Sequence, residues 1–272
     1  MHFLCPKCRE RLEKVNNSAV CENGHCYDRS KEGYYNLLLG GGGVHGDNRD
    51  MVISRRRFLE SGHYMPLAEA VAELVLKYTS AEDAVLDTGC GEGYYTDIIE
   101  RALYQRDGVS DLSAFDISKD AVGYAARRNK RLSTAVFGSY HMPIADGEIA
   151  LALNMFSPNA KEEIHRVLRE GGIYIMAIPA EEHLFSLKAA IYEHPYKNTV
   201  EDTALSGFEL VEWRSLRYDM KLSDRESIAS LFGMTPYAYR TRTADRMNIQ
   251  TLDTLVVEAD FMILVYRKIS EV

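Results

Sequence analysis

Apolar and polar positions follow two different periods along this chain, and the places where the period changes divide it. From Arg55 to Tyr78 the apolar residues Phe58, Leu59, Leu67, Val71, Leu74 and Val75 are interleaved with charges, which predicts helix. Gly62-His63-Tyr64-Met65-Pro66 interrupts that pattern and predicts a turn between two helices. Short apolar runs then predict strands at Ala84 to Asp87, Ser113 to Ile117, Thr134 to Gly138, Ile149 to Met155 and Ile173 to Ile178. Helical segments separate them, at about Tyr94 to Leu103, Lys119 to Asn129 and Ala160 to Leu168. Strand and helix repeating at this length build a parallel sheet covered on both faces, an α/β fold.

After Pro179 the rhythm changes. A helix is expected around Glu181 to Tyr192, a long alternating strand from Phe208 to about Leu222, a helix near Arg225 to Phe232, and a last strand from about Thr254 to Tyr266. Two late strands in a hairpin-like pair predict an antiparallel edge on an otherwise parallel sheet.

A chain of 272 residues that is 46% hydrophobic can bury one full core and carry a small appendage. Its apolar runs are strand-length, far short of the roughly 20 residues of a membrane span. The start, Met1-His2-Phe3-Leu4-Cys5-Pro6, has no charged segment followed by an apolar one. The expectation is therefore a cytoplasmic protein with no membrane partner. A net charge of −8 argues against nucleic-acid binding by an overall positive field, yet leaves room for a local basic surface. Lys7, Arg9, Arg11 and Lys14 crowd the first loop, and Arg55-Arg56-Arg57 form a run further on.

Candidate chemistry lies in two places. Cys5, Cys8, Cys21 and His25 are set out as Cys-x2-Cys-x12-Cys-x3-His, the spacing of a closed tetrahedral zinc site. Cys26 directly follows His25, so an all-thiolate set using Cys26 is also open. In a cytosolic enzyme of this size such a cluster points to metal rather than disulfides. A module at residues 1–36 is too short to keep a core without its ion, whose binding would supply on the order of 10 kcal/mol. Gly40 to Gly43 read as a flexible joint, which gives a linker at 37–54 and a main domain at 55–272.

The second place is Val85-Leu86-Asp87-Thr88-Gly89-Cys90-Gly91-Glu92-Gly93, where a strand runs into a glycine-rich turn and then a helix. Glycines admit positive φ and let backbone approach a ligand. Asp116 ends the next strand, where a carboxylate can accept both ribose hydroxyls of a nucleoside. The turn lacks the further glycine that seats a pyrophosphate, which favours a cofactor without one. Cys90 reads as a small filler against the strand.

These residues, with Phe115-Asp116-Ile117-Ser118 and Leu168-Arg169-Glu170-Gly171-Gly172 before a strand, resemble the class I S-adenosylmethionine-dependent methyltransferases. The resemblance implies a Rossmann-like sheet, the methionine part of the cofactor on the glycine turn (Asp87, Gly89, Gly91, Gly93), its ribose on Asp116 and its adenine near Gly138 to Pro143. A narrower resemblance spans nearly the whole chain. The zinc motif, Lys31-Glu32-Gly33-Tyr34-Tyr35-Asn36-Leu37-Leu38, Arg56-Arg57-Phe58-Leu59, Gly62-His63-Tyr64, Cys90-Gly91-Glu92-Gly93-Tyr94-Tyr95-Thr96 and Met234-Thr235-Pro236-Tyr237-Ala238 are similar to the RlmA-type guanine-N1 methyltransferases of 23S ribosomal RNA. It implies Zn2+ at Cys5, Cys8, Cys21 and His25, S-adenosyl-L-methionine contacts at Tyr64, Gly91, Glu92 and His183, an RNA hairpin as substrate, and a homodimer whose zinc modules help grip RNA.

Guanine N1 carries a proton at neutral pH, so a base, or a group stabilising the guanine anion's oxygen, is also required. Asn154 to Pro158, Asp146 and His141 stand near the expected place, and none is assigned as catalytic. Two other readings fit the residues: a small-molecule methyltransferase with a purely structural zinc module, and a non-catalytic binding protein with a degenerate cofactor site.

Overall fold

The computed structural model describes residues 2–40, 46–200, 202–240, 248–249 and 251–270. The chain begins with three short antiparallel strands, β1 (Glu13–Val15), β2 (Ser18–Val20) and β3 (Cys26–Asp28), which form a small ribbon. The main domain follows: β4 (Tyr35–Asn36), α1 (Arg49–Glu60), α2 (Met65–Tyr78), β5 (Val85–Thr88), α3 (Tyr94–Asp107), β6 (Leu112–Asp116), α4 (Lys119–Arg128) and β7 (Ser133–Val136). It continues with β8 (Ile149–Met155), α5 (Lys161–Val167), β9 (Leu168–Pro179), α6 (Phe185–Ile191), β10 (Phe208–Leu222), α7 (Arg225–Gly233), α8 (Tyr237–Arg240) and β11 (Leu255–Lys268).

The eight main strands lie in the order β10-β11-β9-β8-β5-β6-β7-β4. Pairing from β4 across to β9 is parallel, and at the far edge β11 pairs antiparallel with both β9 and β10. This is the class I methyltransferase arrangement, with the antiparallel edge where the late alternating strands predicted it. Order reverses between β5 and β8, so the crevice beyond the carboxyl ends of β5, β6 and β8 is where such a sheet receives a ligand.

Strand period decides which face each residue covers. Along β8 and β9, Leu151, Leu153, Ile173, Ile175 and Ala177 enter one core with Phe58, Leu67, Val71 and Ile99 of the helices. Ala152, Tyr174 and Met176, on the alternate positions, enter the other. That second core is shared with the ribbon, because Phe3, Cys5, Leu12 and Cys21 pack in it beside Leu86, Phe115 and Ile144.

The domain boundaries differ from the sequence expectation at both ends of the supposed linker. Tyr35–Asn36 pairs in parallel with β7, Leu37 N–H donates to the Val136 carbonyl, and Leu37 is buried. α1 starts at Arg49, not Arg55, because the Asn48 side chain accepts from Met51 N–H and caps it. Of the glycine run, positions 41–43 lie outside the described residues. The helix expected over Glu181 to Tyr192 is confined to Phe185–Ile191, since Leu184 takes a left-handed φ of 58° before it. Among the described residues no helix is long and apolar enough to cross a membrane.

The ribbon is docked by specific polar contacts as well as by apolar packing. Leu4 N–H donates to the Pro143 carbonyl, and the Arg9 guanidinium donates to the carbonyls of Met142 and Ile144 at 2.9 and 3.1 Å. Arg11 forks onto Glu148, and His2 bridges Glu148 and Asp111, both at 2.7 Å. Arg9 and Arg11 of the basic cluster thus face the enzyme, while Lys7 and Lys14 are exposed.

Candidate functional site

Cys5, Cys8, Cys21 and His25 converge at one end of the ribbon, their four ligand atoms within 4.8 Å of one another. Cys8 Sγ and Cys21 Sγ are 3.6 Å apart, and His25 Nδ1 lies 3.4 Å from the sulfurs of both Cys5 and Cys21. A tetrahedral zinc ion with ordinary bond lengths requires edges of about 3.5–3.8 Å, so the donor set fits the ion in kind and in size. Cys26 is exposed on β3, outside the cluster. Burial raises the Cys5 thiol, but hydrogen bonds from Tyr27 Oη and from backbone N–H groups outweigh it and bring it down to about 6, toward the thiolate a metal needs.

A cavity of about 1330 Å³ opens at the carboxyl ends of β5, β6 and β8. Tyr64, Asp87, Gly89, Gly91, Glu92, Asp116 and His183 all line it. These residues come from across 120 positions of chain and meet because the parallel strands end together. Gly93 does not line the cavity: a Cβ there would stand 2.8 Å from Ala125 Cα, so this glycine lets α4 pack close. Gly89 also answers to packing, since its Cβ would fall 2.5 Å from that of Ser157, while a Cβ at Gly91 would meet nothing nearer than 3.9 Å.

The acidic residues are held in distinct ways. Asp116 accepts from the Gly91 and Ser118 N–H groups at 3.0 and 2.8 Å, which fixes its carboxylate at the cavity wall. Asp87 accepts from Thr96 Oγ1 at 2.6 Å through one oxygen, and its other oxygen is buried with no partner. Burial, against the Thr96 bond, pushes its carboxyl up to about 6. Glu92 forms an ion pair with Arg128 through one oxygen and leaves Oε1 buried and unpartnered. Burial raises it too, with Arg128 opposing. Two orphaned carboxylate oxygens on a glycine turn suit a ligand that brings cationic or hydrogen-bond-donating groups, as S-adenosylmethionine does.

Aromatic rings supply another part of the lining. Tyr64 and His183 are joined at 3.3 Å, and the rings of both pack on Phe261, which also meets Phe156. Tyr95 sits beside Phe156 and Tyr94. Of the residues expected near the reaction, Phe156, Ser157, Pro158 and His141 line the cavity. Asn154 does not: it is buried, and its amide is spent on Ser157 N–H and the Pro158 carbonyl. Asp146 pairs with Arg166 outside it.

Sequence reasoning did not single out Tyr95, Asn198 or Arg9 as cavity residues, yet each lines it. The doubled Tyr94-Tyr95 after the glycine turn was a usable signal for the first. Nothing local marks Asn198, which reaches the site because its amide donates to the Ala180 and His183 carbonyls. Pro6 and Arg9 bring the ribbon itself into the lining of the same cavity.

The comparisons with known proteins agree with both halves of this arrangement. Residues 3–39 match a zinc-ribbon family model described as RlmA, N-terminal, and residues 85–172 match one described as methyltransferase domain. A 23S rRNA (guanine(748)-N(1))-methyltransferase of Streptomyces fradiae is 35% identical over 246 residues, covering 88% of this chain and 86% of that one. Proteins of Micromonospora griseorubida and Bacillus subtilis strain 168, each provisionally named 23S rRNA (guanine-N(1)-)-methyltransferase, are both 30% identical, covering 89% and 91% of this chain and 88% and 90% of their own. With ribbon, glycine turn and sheet matched along nearly the full length, the chain belongs to the 23S rRNA (guanine-N1)-methyltransferase family.

Proposed function

We propose that this protein transfers a methyl group from S-adenosyl-L-methionine to N1 of a guanine in a hairpin of 23S ribosomal RNA. One observation carries the reading: a single cavity is lined both by the glycine turn and Asp116 and by Pro6 and Arg9 of the zinc ribbon. A small-molecule enzyme with a merely structural ribbon would not need ribbon residues in the lining of that cavity.

Cys5, Cys8, Cys21 and His25 are the residues that would hold zinc, and the bound ion would keep the ribbon in the shape that docks on Ile144 and Glu148. Bound S-adenosylmethionine supplies an activated methyl group. Asp116 orients the ribose hydroxyls, and the amide-bearing turn Gly89 to Glu92 and Asp87 receive the amino-acid end. His183 accepts the Asp260 N–H at Nδ1, so its Nε2–H donates to Tyr64 Oη, and the Tyr64 proton is left to point into the cavity. Burial, assisted by Lys188, lowers His183 to about 3, so the ring stays neutral and this order of donors holds at physiological pH. Gly93 supports the turn rather than the ligand. The protein's share of the rate is alignment, which supplies about 7–11 kcal/mol in favourable cases. The target base is flipped from its stack to reach the wall of Phe156 and Tyr95, at a cost of a few kcal/mol.

We further infer a cytoplasmic homodimer in which the two ribbons face the RNA. Incubation with cofactor and unmethylated 23S rRNA should create a new primer-extension stop at one guanine, because N1 methylation blocks the Watson–Crick edge. Absence of that stop overturns the reading. Loss of activity on deleting residues 1–36 is not decisive, since Phe3 and Leu12 share the enzyme's core. Lys7→Ala with Lys14→Ala, both exposed, is the cleaner test of RNA contact: KM for RNA should rise and its salt dependence should lessen.

A further inference from the structure

We propose that Tyr95 is a catalytic residue: its phenolic O–H donates to O6 of the acceptor guanine, while the ring of Phe156 carries the face of that base. The inference rests on the reading of the substrate as guanine attacked at N1.

Among the described residues, three buried hydroxyls have no partner in the protein, those of Tyr95, Ser113 and Thr134. Ser113 and Thr134 lie within strands β6 and β7 and do not line the cavity, whereas Tyr95 lines it. A fold rarely keeps a buried, unbonded hydroxyl, and one on a residue that lines a ligand cavity is a candidate partner for a ligand acceptor. Several other donors that line the cavity are committed within the protein. Arg9 is spent on the Met142 and Ile144 carbonyls, Arg55 on Asp47 and the Met234 carbonyl, and Ser157 Oγ on the Thr88 carbonyl. Burial holds the Tyr95 phenol well above its usual range, so it remains a neutral donor at any pH where the enzyme works.

Phe156 supplies an independent observation. It follows β8 at the carboxyl edge of the sheet with φ of 61°, a left-handed conformation that is costly for an aromatic residue. The residue is nevertheless 41% exposed, its ring 6.3 Å from that of Tyr95 and braced on Phe261 at 5.6 Å. A strained backbone that presents an unburied ring to a cavity is suited to stacking a flipped base.

Such a donor serves the chemistry as the group that stabilises the guanine anion's oxygen. As N1 gives up its proton to solvent, the amide charge spreads onto O6, where a hydrogen bond stabilises it most. N1 then bonds the methyl carbon, and the carbon–sulfur bond breaks with its electron pair retained by sulfur. The cationic sulfonium and neutral guanine become a neutral thioether, a neutral methylguanine and one released proton.

The test compares wild type with Tyr95→Phe on unmethylated 23S rRNA. Expected are a fall in kcat of about a hundredfold, a rising limb of the pH–rate profile displaced to higher pH, and calorimetric affinity for S-adenosylmethionine unchanged within twofold. A kcat within threefold of wild type, or a loss of cofactor affinity in proportion to kcat, overturns the proposal. Should Tyr95→Phe fail to fold, 3-fluorotyrosine at position 95 keeps the shape and makes the phenol a stronger donor: a kcat that does not respond overturns it equally. For the platform, Phe156→Ala should raise KM for RNA and Phe156→Tyr should restore it. If wild type itself gives no primer-extension stop, the substrate reading fails; a normal stop with an unaffected Tyr95→Phe sinks the present inference alone.

Discussion

Tyr64 and His183, 119 positions apart, share a hydrogen bond of 3.3 Å at the cavity wall, with the backbone N–H of Asp260 fixing the tautomer from the other side. Tyr64→Phe removes the acceptor for a buried imidazole N–H and the hydroxyl that faces the ligand. Urea unfolding should show a loss of about 1–3 kcal/mol, and calorimetry should show weaker binding of S-adenosylmethionine.

The same pair carries a pH dependence. His183 has a folded value near 3 against 6.5 when exposed, so its neutral form is the one the fold accepts. Its contribution to stability is complete above about pH 6.5 and is lost as pH falls toward 3, at up to about 1.4 kcal/mol per pH unit. His183→Gln should flatten that part of the stability profile in chemical denaturation between pH 6.5 and 4.

Asp87 titrates near 6 with one oxygen unpartnered. A cationic ligand group beside it favours the ionised form, so cofactor binding near pH 5.5 should release protons. Calorimetry in buffers of different ionisation enthalpy measures that release, which should shrink in Asp87→Asn. Equal release in both proteins would place the cationic end of the cofactor elsewhere.

The metal assignment predicts about one zinc per chain by elemental analysis. Cys26→Ser should keep it, because Cys26 is exposed outside the cluster, whereas Cys8→Ser and His25→Ala should lose it. Stripping the ion should also loosen the cavity lining, seen as faster amide exchange over Met142 to Ile144, where Leu4 and Arg9 dock.

Three glycines of one turn should respond differently to alanine. At Gly91 a Cβ finds space and costs only the strain of a positive φ, about 1 kcal/mol, so the variant folds but binds cofactor poorly. At Gly93 the Cβ would press on Ala125 backbone, and at Gly89 on Ser157; both should lose stability by more than about 2 kcal/mol in urea unfolding.

The sequence by itself determined whatever depends on near neighbours. Ile149–Met155 and Phe208–Leu222 were legible to the residue, because an apolar run and a strict alternation are local patterns. The convergence of Cys5, Cys8, Cys21 and His25 and the strand–turn–helix of the glycine turn were legible for the same reason, both being written in local spacing. Tertiary structure alone decided where those pieces meet. Tyr35–Asn36 joins β7, a hundred residues on, through two backbone pairs that no side-chain period announces. The basic residues Arg9 and Arg11 read as a surface for RNA, and they became the ribbon's clasp on the enzyme because carbonyls and Glu148 happen to stand opposite them. Tyr95 looked like one aromatic among many. That its buried hydroxyl has no partner is a property of the packed whole, which no local pattern announces.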